Sequence, residues 1–435
     1  VSEDGWIQAV TSGASSDGCE SVPGIAVPGV PNLHSHAFQR AMAGLAERAT
    51  TNTDTFWSWR ERMYAFLERL GPEDIEAIAA QLYVELLRHG FTSVTEFHYL
   101  RNHIDGSTYA DPVEMGQRIL SAANQAGIGA TLLPVLYRSS DFGSKPPIPE
   151  QRRFVAGVDE LVSDVAKLRD SVVNNPQYRI GLAIHSLRAV PPEDLERAVN
   201  SYRDIDREGP IHIHIAEQMR EVNDCLAWSG ARPVEWLLNN APVDRYWCTI
   251  HATHMTTEEA AALAASEAVV GLCPTTEANL GDGLFRFKDF STAEGNWGVG
   301  TDSHVSVSPI AELRLLEYGQ RITRQERNVV AGAHDRSTGR VLLENAWAGG
   351  SKAAGRPTEG LEVGQRADIL MLDQNHAALV GRAGDEILDS WIFSGEQTPV
   401  QHVMVGGAWV IRDGHHQREE EILERYGTVL RRLSS

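Results

Sequence analysis

The sequence predicts an α/β protein: a (β/α)8 TIM-like barrel with a small β-sandwich domain assembled from both termini. Three observations predict it. Eight short β-type runs alternate with stretches of helical periodicity between residues 27 and about 305. None of those runs leads into the G-x-G-x-x-G turn of a doubly wound open sheet. Finally, strand-like segments with turn residues lie at the two ends of the chain rather than in its middle.

In chain order the eight runs are "GVPNLH" (29–34), "TSVTEF" (92–97), "ATLLPVLY" (130–137), "IGLAIH" (180–185), "IHIHIA" (211–216), "CTIHAT" (248–253), "VVGLCP" (269–274) and "WGVGTD" (297–302). Each is short and rich in apolar or β-branched residues, as buried parallel strands are. Between them lie helix patterns such as "EDIEAIAAQLYVELLRHG" (73–90), which opens on Pro72 and acidic residues and stops at Gly90. A second, "EDLERAVNSYRDID" (193–206), has the same acidic start. Residues 1–26 are rich in Gly and Ser, and "GRPTEGLEVGQRADILMLD" and "VQHVMVGGAWVIRDG" (400–414) read as strands and turns. The expected division is therefore 1–28 with 356–435 as the small β domain and 29–355 as the barrel. "REEEILERYGTVLRRL" (418–433) is expected to be an amphipathic helix on its surface.

Composition narrows the function classes. At 435 residues, 42% hydrophobic and 23% charged, the chain can bury a large core and carries no disordered tract. A formal net charge of −20 repels nucleic acid and anionic membranes, so neither is an expected partner. No run of ~18 apolar residues would span a bilayer, and the start, "VSEDGWIQAV", is not of signal type but reads as if it begins inside a structured element. Cys19, Cys225, Cys248 and Cys273 are scattered without C-x-x-C pairing, which fits a reducing cytoplasm better than a disulfide scaffold. An anionic substrate would have to meet a local positive charge.

The chemistry is written at the strand ends. His34 and His36 are two residues apart on an extended chain, so both face the same way, towards the barrel mouth. The fifth run adds His212, His214 and Glu217, the sixth His251 and the eighth Asp302, all at the C-terminal ends where such barrels keep their active sites. An isolated H-x-H is ordinarily two unrelated polar residues; this ordered set is a ligand field. His34, His36, His214 and Asp302 form the three-imidazole, one-carboxylate set of a zinc-like ion, with ligands at ~2.0–2.2 Å and room for a water. Such an ion lowers the pKa of the water to about 7. His212 lies ~6.6 Å deeper than His214 and is expected to be a core residue. The third and fourth runs offer no Lys or Glu near their ends to bridge two ions, so one divalent ion per chain, Zn2+, is expected. The stretch "TTEANLGDG" (275–283) suits a tight loop over the mouth, either a closing loop or an ordinary turn.

The order H-x-H, H-x-x-E, H, D resembles the mononuclear, deaminating branch of the amidohydrolase superfamily over nearly the whole chain. "PNLHSHAFQRAMAGL", "TEFHYL", "HIHIAEQ", "HATHM", "TTEANLGDG" and "TDSHVSVSP" together resemble the formimidoylglutamate deiminase family. That resemblance implies hydrolysis of N-formimidoyl-L-glutamate to N-formyl-L-glutamate and ammonia, in histidine degradation. It implies that Asp302 takes a proton from the attacking water, that Glu217 hydrogen-bonds or protonates the imine, and that His251 orients the nucleophile. It also implies substrate contacts from Gln39, Arg60, Tyr99, His185 and Arg188, the arginines pairing with the carboxylates of a dicarboxylate substrate. His254 is expected to be a structural neighbour. Related barrels often pair, so a homodimer is compatible with the reading. The rivals are a deaminase of a purine, pterin or triazine-like ring, which would want aromatic and amide contacts instead of paired arginines, and a non-catalytic barrel, which would have lost ligands.

Overall fold

The computed structural model describes residues 1–15, 17–48, 54–331 and 336–434. Strand β1 (Ile25–Pro28) precedes the barrel strands β2 (Val30–Ser35), β3 (Phe91–His98), β4 (Gly129–Leu136), β5 (Tyr178–Ile180), β6 (Leu182–Ser186), β7 (Ile211–Ile215), β8 (Trp247–His251), β9 (Val269–Leu272) and β10 (Asn296–Val299). All barrel pairings are parallel, running β2, β3, β4, β6, β7, β8, β9, β10 around the barrel, with β5 beside the start of β4. The fourth run is thus broken in two at Gly181. A Cβ there would lie 2.4 Å from Leu133 Cδ2 and 2.8 Å from the Pro210 carbonyl oxygen, so the chain passes where no side chain fits.

The ends of the barrel meet beyond β10, where Ser35 forms a parallel bridge to Asp302. The Thr301 and Asp302 amides donate to the His34 carbonyl at 3.1 and 3.0 Å, and the His36 amide donates to the Asp302 carbonyl at 3.1 Å. Gly300 makes this closure possible, because a Cβ at that position would stand 2.7–2.9 Å from His34 backbone and Cβ atoms. The first and last strands are therefore stitched together at the residues that carry the proposed ligands.

Helices cover the barrel. The predicted 73–90 helix spans Pro72–His89 and stops at Gly90, whose φ of +105° ends the helical ladder. Its apolar face is buried, and it packs against the helices Glu114–Ala126 and Glu419–Ser434. The last of these buries Ile422, Val429 and Leu433, and Arg432 reaches back to Asp74 at 2.5 Å.

A second sheet is antiparallel, in the order β1, β11 (Ile369–Leu372), β12 (Val400–Val405), β13 (Ala408–Arg412), β14 (His415–His416). Its edge strand comes from the N-terminal segment and the other four from the C-terminal one. β1 pairs with β11 in the register Ile25 to Leu372 through Pro28 to Ile369. Only Gly29 separates β1 from β2, so a single residue carries the chain from this sheet into the barrel. Among the described residues no helix is long and apolar enough to cross a membrane.

Candidate active site

At the C-terminal mouth the imidazoles converge on one point. His34 Nε2 and His36 Nε2 lie 3.1 and 3.3 Å from His214 Nε2, and Asp302 Oδ1 lies 3.5 and 3.4 Å from the first two. A tetrahedral ion with ligands at ~2.0–2.1 Å separates its donor atoms by about 3.3 Å, the spacing found here. The other ring nitrogens explain why the converging atoms are lone pairs. His36 Nδ1 donates to the Phe97 carbonyl at 2.8 Å and His214 Nδ1 to the His185 carbonyl at 2.9 Å, which leaves Nε2 of each ring unprotonated. Burial holds the pKa of all three histidines down, that of His34 and His214 well below the ordinary value. Three imidazole nitrogens and a carboxylate oxygen facing one another in a buried site, with the lone pairs of His36 and His214 turned inward, suit a cation at their centre. The donor set fits a divalent ion.

Backbone conformation brings two of the groups in. His251 and Asp302 have φ of +68° and +45°, left-handed values that cost a non-glycine residue ~1–3 kcal/mol each and cluster where side chains are aimed for function. His251 Nε2 lies 3.7 Å from both Glu217 Oε1 and Asp302 Oδ2, and its Nδ1 lies 3.2 Å from Glu277 Oε1. Burial works to lower the His251 pKa, but Glu217, Glu277 and Asp302 overcome it and raise it to about 10. Glu217 is pushed up to about 7 by burial, with His251 opposing and Asp302 and Glu221 adding to the rise. A carboxyl poised near neutrality beside a cationic imidazole can exchange protons in either direction.

The cluster floors a cavity at the barrel mouth. Gln39, Arg60, Tyr99, His185 and Arg188 all line it, together with Glu217 and His251. Gln39 Nε2 donates to the Tyr99 hydroxyl at 3.0 Å. Arg60 stacks on Trp57 with its guanidinium carbon 4.5 Å from the ring centroid, and Arg188 approaches the same ring at 5.6 Å. Among the described residues neither arginine has a carboxylate within ion-pair distance, and the Nε of each is buried without a hydrogen-bond partner. Glu221 and Glu217 lie within electrostatic reach of Arg188, but two guanidiniums without an ion pair, in a chain of net charge −20, make a local positive patch suited to an anion.

The stretch expected as a loop at 275–283 is different. Pro274–Leu280 is a helix, capped by Gly281 at φ +71°. Proline at its first position and the glycine after its last residue are good helix punctuation, but seven residues are too few to show a periodicity. That helix carries Glu277, the partner of His251, which sequence reading passed over. Glu96 was missed as well, although it lies inside "TEFHYL". Its carboxylate accepts from Ser35 Oγ at 2.5 Å and the Ala37 amide at 2.7 Å, bracketing His36. Glu96 meets Ser35 and the Ala37 amide only in three dimensions, so no spacing announces it. His212 Nε2 is hydrogen-bonded to the Ala353 carbonyl at 2.8 Å, and His254 Nε2 to that of Asp282 at 2.7 Å.

Residues 25–410 match the model of the amidohydrolase family. The chain belongs to that family. It is 49% identical over 433 residues to formimidoylglutamate deiminase of Pseudomonas aeruginosa, the alignment covering 100% of this chain and 95% of that one. Among solved structures, an amidohydrolase from Brucella melitensis superposes with a TM-score of 0.94 at 44% identity, covering 99% of this chain and 95% of the other. Atrazine chlorohydrolase TrzN from Arthrobacter aurescens, solved with zinc, superposes at 0.83 with 21% identity over 99% and 94% of the two chains, which shows a shared fold. Amidohydrolases are metal-dependent hydrolases, and the converging histidines are where this one would bind its metal.

Proposed function

We propose that the chain hydrolyses N-formimidoyl-L-glutamate to N-formyl-L-glutamate and ammonia, with one Zn2+ held by His34, His36, His214 and Asp302. The observation that carries the substrate assignment is the pair of arginines, Arg60 and Arg188, that form no ion pair among the described residues and line the same cavity as the four-donor cluster. A dianion satisfies both. The name of the relative at 49% identity supports the same substrate.

The ion, when bound, supplies Lewis acidity that brings a water pKa to about 7. The chain's own groups do the rest. Asp302, with Oδ2 3.7 Å from His251 Nε2, accepts the proton released as the water oxygen bonds to the formimino carbon. His251, held through Nδ1 by Glu277, donates Nε2–H towards the attacking oxygen and stabilises the charge that develops there. Glu217 hydrogen-bonds the imine nitrogen and, with a pKa of about 7, hands it a proton. As the C–N bond breaks, the proton taken up by Asp302 passes to the departing nitrogen, which leaves as ammonia, and the proton of the new hydroxyl returns to Glu217 as the carbonyl forms. Arg60 and Arg188 hold the two carboxylates, and Gln39, Tyr99 and His185 complete the wall that orients the amidine. The free thiols, three of them buried, suit a cytoplasmic location.

The test is a coupled ammonia assay on N-formimidoyl-L-glutamate run beside guanine, adenosine and a triazine, with elemental analysis of the same sample. Ammonia release from the formimidoyl substrate with about one divalent ion per chain is expected. Faster turnover of any ring substrate would overturn the assignment.

A further inference from the structure

Beside the two arginines the cavity wall carries two buried polar side chains that the roles above leave unused, Tyr64 and Tyr137, and both are hydrogen-bonded to the buried Gln151. The Gln151 amide is oriented by its surroundings. The Ile148 backbone amide donates to Gln151 Oε1 at 3.0 Å, so Nε2 must face the other way, and it donates to the Tyr137 hydroxyl at 2.8 Å and the Tyr64 hydroxyl at 3.3 Å. Each phenol oxygen is thereby used as an acceptor; one hydroxyl proton can bridge Tyr137 and Tyr64, which stand within hydrogen-bonding reach of each other, and a bound carboxylate would draw it away. Both tyrosines line the cavity beside Arg60 and Arg188, and the Arg60 guanidinium carbon lies 5.6 Å from the Tyr64 ring centroid. Burial holds the Tyr137 phenol well above its ordinary pKa, so it stays a donor at every working pH.

We propose that Tyr64 and Tyr137 donate hydrogen bonds to one substrate carboxylate alongside the arginines, and that Gln151 is a positioning residue that sets their donor polarity. The inference rests on the dicarboxylate reading above and extends it to specificity. A carboxylate can accept from the guanidinium and both hydroxyls together, whereas an amide at the same place would turn N–H groups towards O–H donors and be rejected.

The experiment compares the metal-loaded wild type with Tyr64→Phe, Tyr137→Phe, Gln151→Met and Gln151→Glu. Substrates are N-formimidoyl-L-glutamate and two analogues, one lacking the α-carboxylate and one with the side-chain carboxylate as an amide. Calorimetric titration with glutarate gives a readout independent of turnover. Each Phe variant should raise KM roughly tenfold, as expected for loss of a hydrogen bond to a charged group, with kcat within twofold, and weaken glutarate binding in parallel. The penalty should persist with one analogue and vanish with the other, which identifies the carboxylate concerned. Gln151→Glu, which reverses the polarity by accepting both hydroxyl protons, should raise KM more than Gln151→Met. Unchanged KM and glutarate affinity in both Phe variants would overturn the proposal, as would a loss confined to kcat or equal effects of Met and Glu at 151. Failure of the wild type to hydrolyse any formimidoyl substrate would overturn the deiminase reading instead, with the glutarate titrations still deciding the role of the tyrosines. If a Phe variant does not fold, the Gln151 pair decides.

Discussion

His251 and Arg188 separate two kinds of work that single side chains do in this site. His251 Nε2 lies within 3.7 Å of Glu217 and Asp302 while its other nitrogen is held by Glu277, so it is placed to act on the reacting atoms rather than to complete the cluster of lone pairs. His251→Ala should therefore lower kcat by roughly 10²–10⁴, the usual weight of a positioned acid–base group, while elemental analysis still finds about one metal ion per chain. Metal lost with the imidazole would make His251 a ligand. Arg188 is buried, rests on Trp57 and faces Glu221 and Glu217 without forming an ion pair among the described residues, so in the proposed role the carboxylate of the substrate is its direct anionic partner. Arg188→Met should raise KM for the dicarboxylate by roughly 10–100-fold, with little change in the unfolding midpoint. A folding defect at constant KM would contradict the role.

Among the elements, the short helix Pro274–Leu280 bears directly on the site. It delivers Glu277 to His251 and is itself pinned at its start, where Glu312 accepts from the Thr275 amide at 2.8 Å and its hydroxyl at 2.5 Å. Burial pushes the Glu312 pKa up from 4.5 to about 8, with the Thr275 hydrogen bonds opposing. A carboxyl with its pKa raised on folding contributes its full stability below the unfolded value and loses it as pH climbs through the folded one. Wild type should thus lose stability between about pH 4.5 and 8 relative to Glu312→Gln, which has no proton to release. Urea midpoints of both proteins across that window, in excess metal, should converge at the acid end and separate in favour of Gln as pH rises; parallel curves would place the titration elsewhere.

Across the whole molecule, the proposed cation site and the barrel closure share residues. Asp302 and His34 are joined by the backbone bonds that connect the first and last strands, and their side chains belong to the same donor cluster. Removing the ion leaves buried lone pairs opposed at 3.1–3.5 Å across that seam, and the lost binding energy is lost folding energy. Chelation should lower the thermal midpoint by several degrees, and stoichiometric Zn2+ should restore it together with activity. A midpoint indifferent to the chelator would mean the seam holds without the ion.

Much of this was legible before any coordinates. Period-two alternation put His34 and His36 on one face, the run count announced the barrel, and the motif order pointed to the family, because each is a local pattern whose physics acts within a few residues. What stayed hidden depends on chain crossings. Gly300 reads as an ordinary glycine until His34 occupies the space its side chain would need. The seven-residue helix at 274–280 is too short to declare a period, so Glu277 passed unnoticed. Glu96 meets Ser35, and Gln151 meets Tyr64 and Tyr137, over separations no spacing rule spans. Sequence alone determined which side chains could ligate, protonate or bind an anion, since that chemistry belongs to residue types and to strand alternation. Tertiary structure decided which nitrogen of each ring is free, which cavity arginines form no ion pair among the described residues and which carboxylate steers His251, because hydrogen bonds and burial exist only once distant segments are packed together.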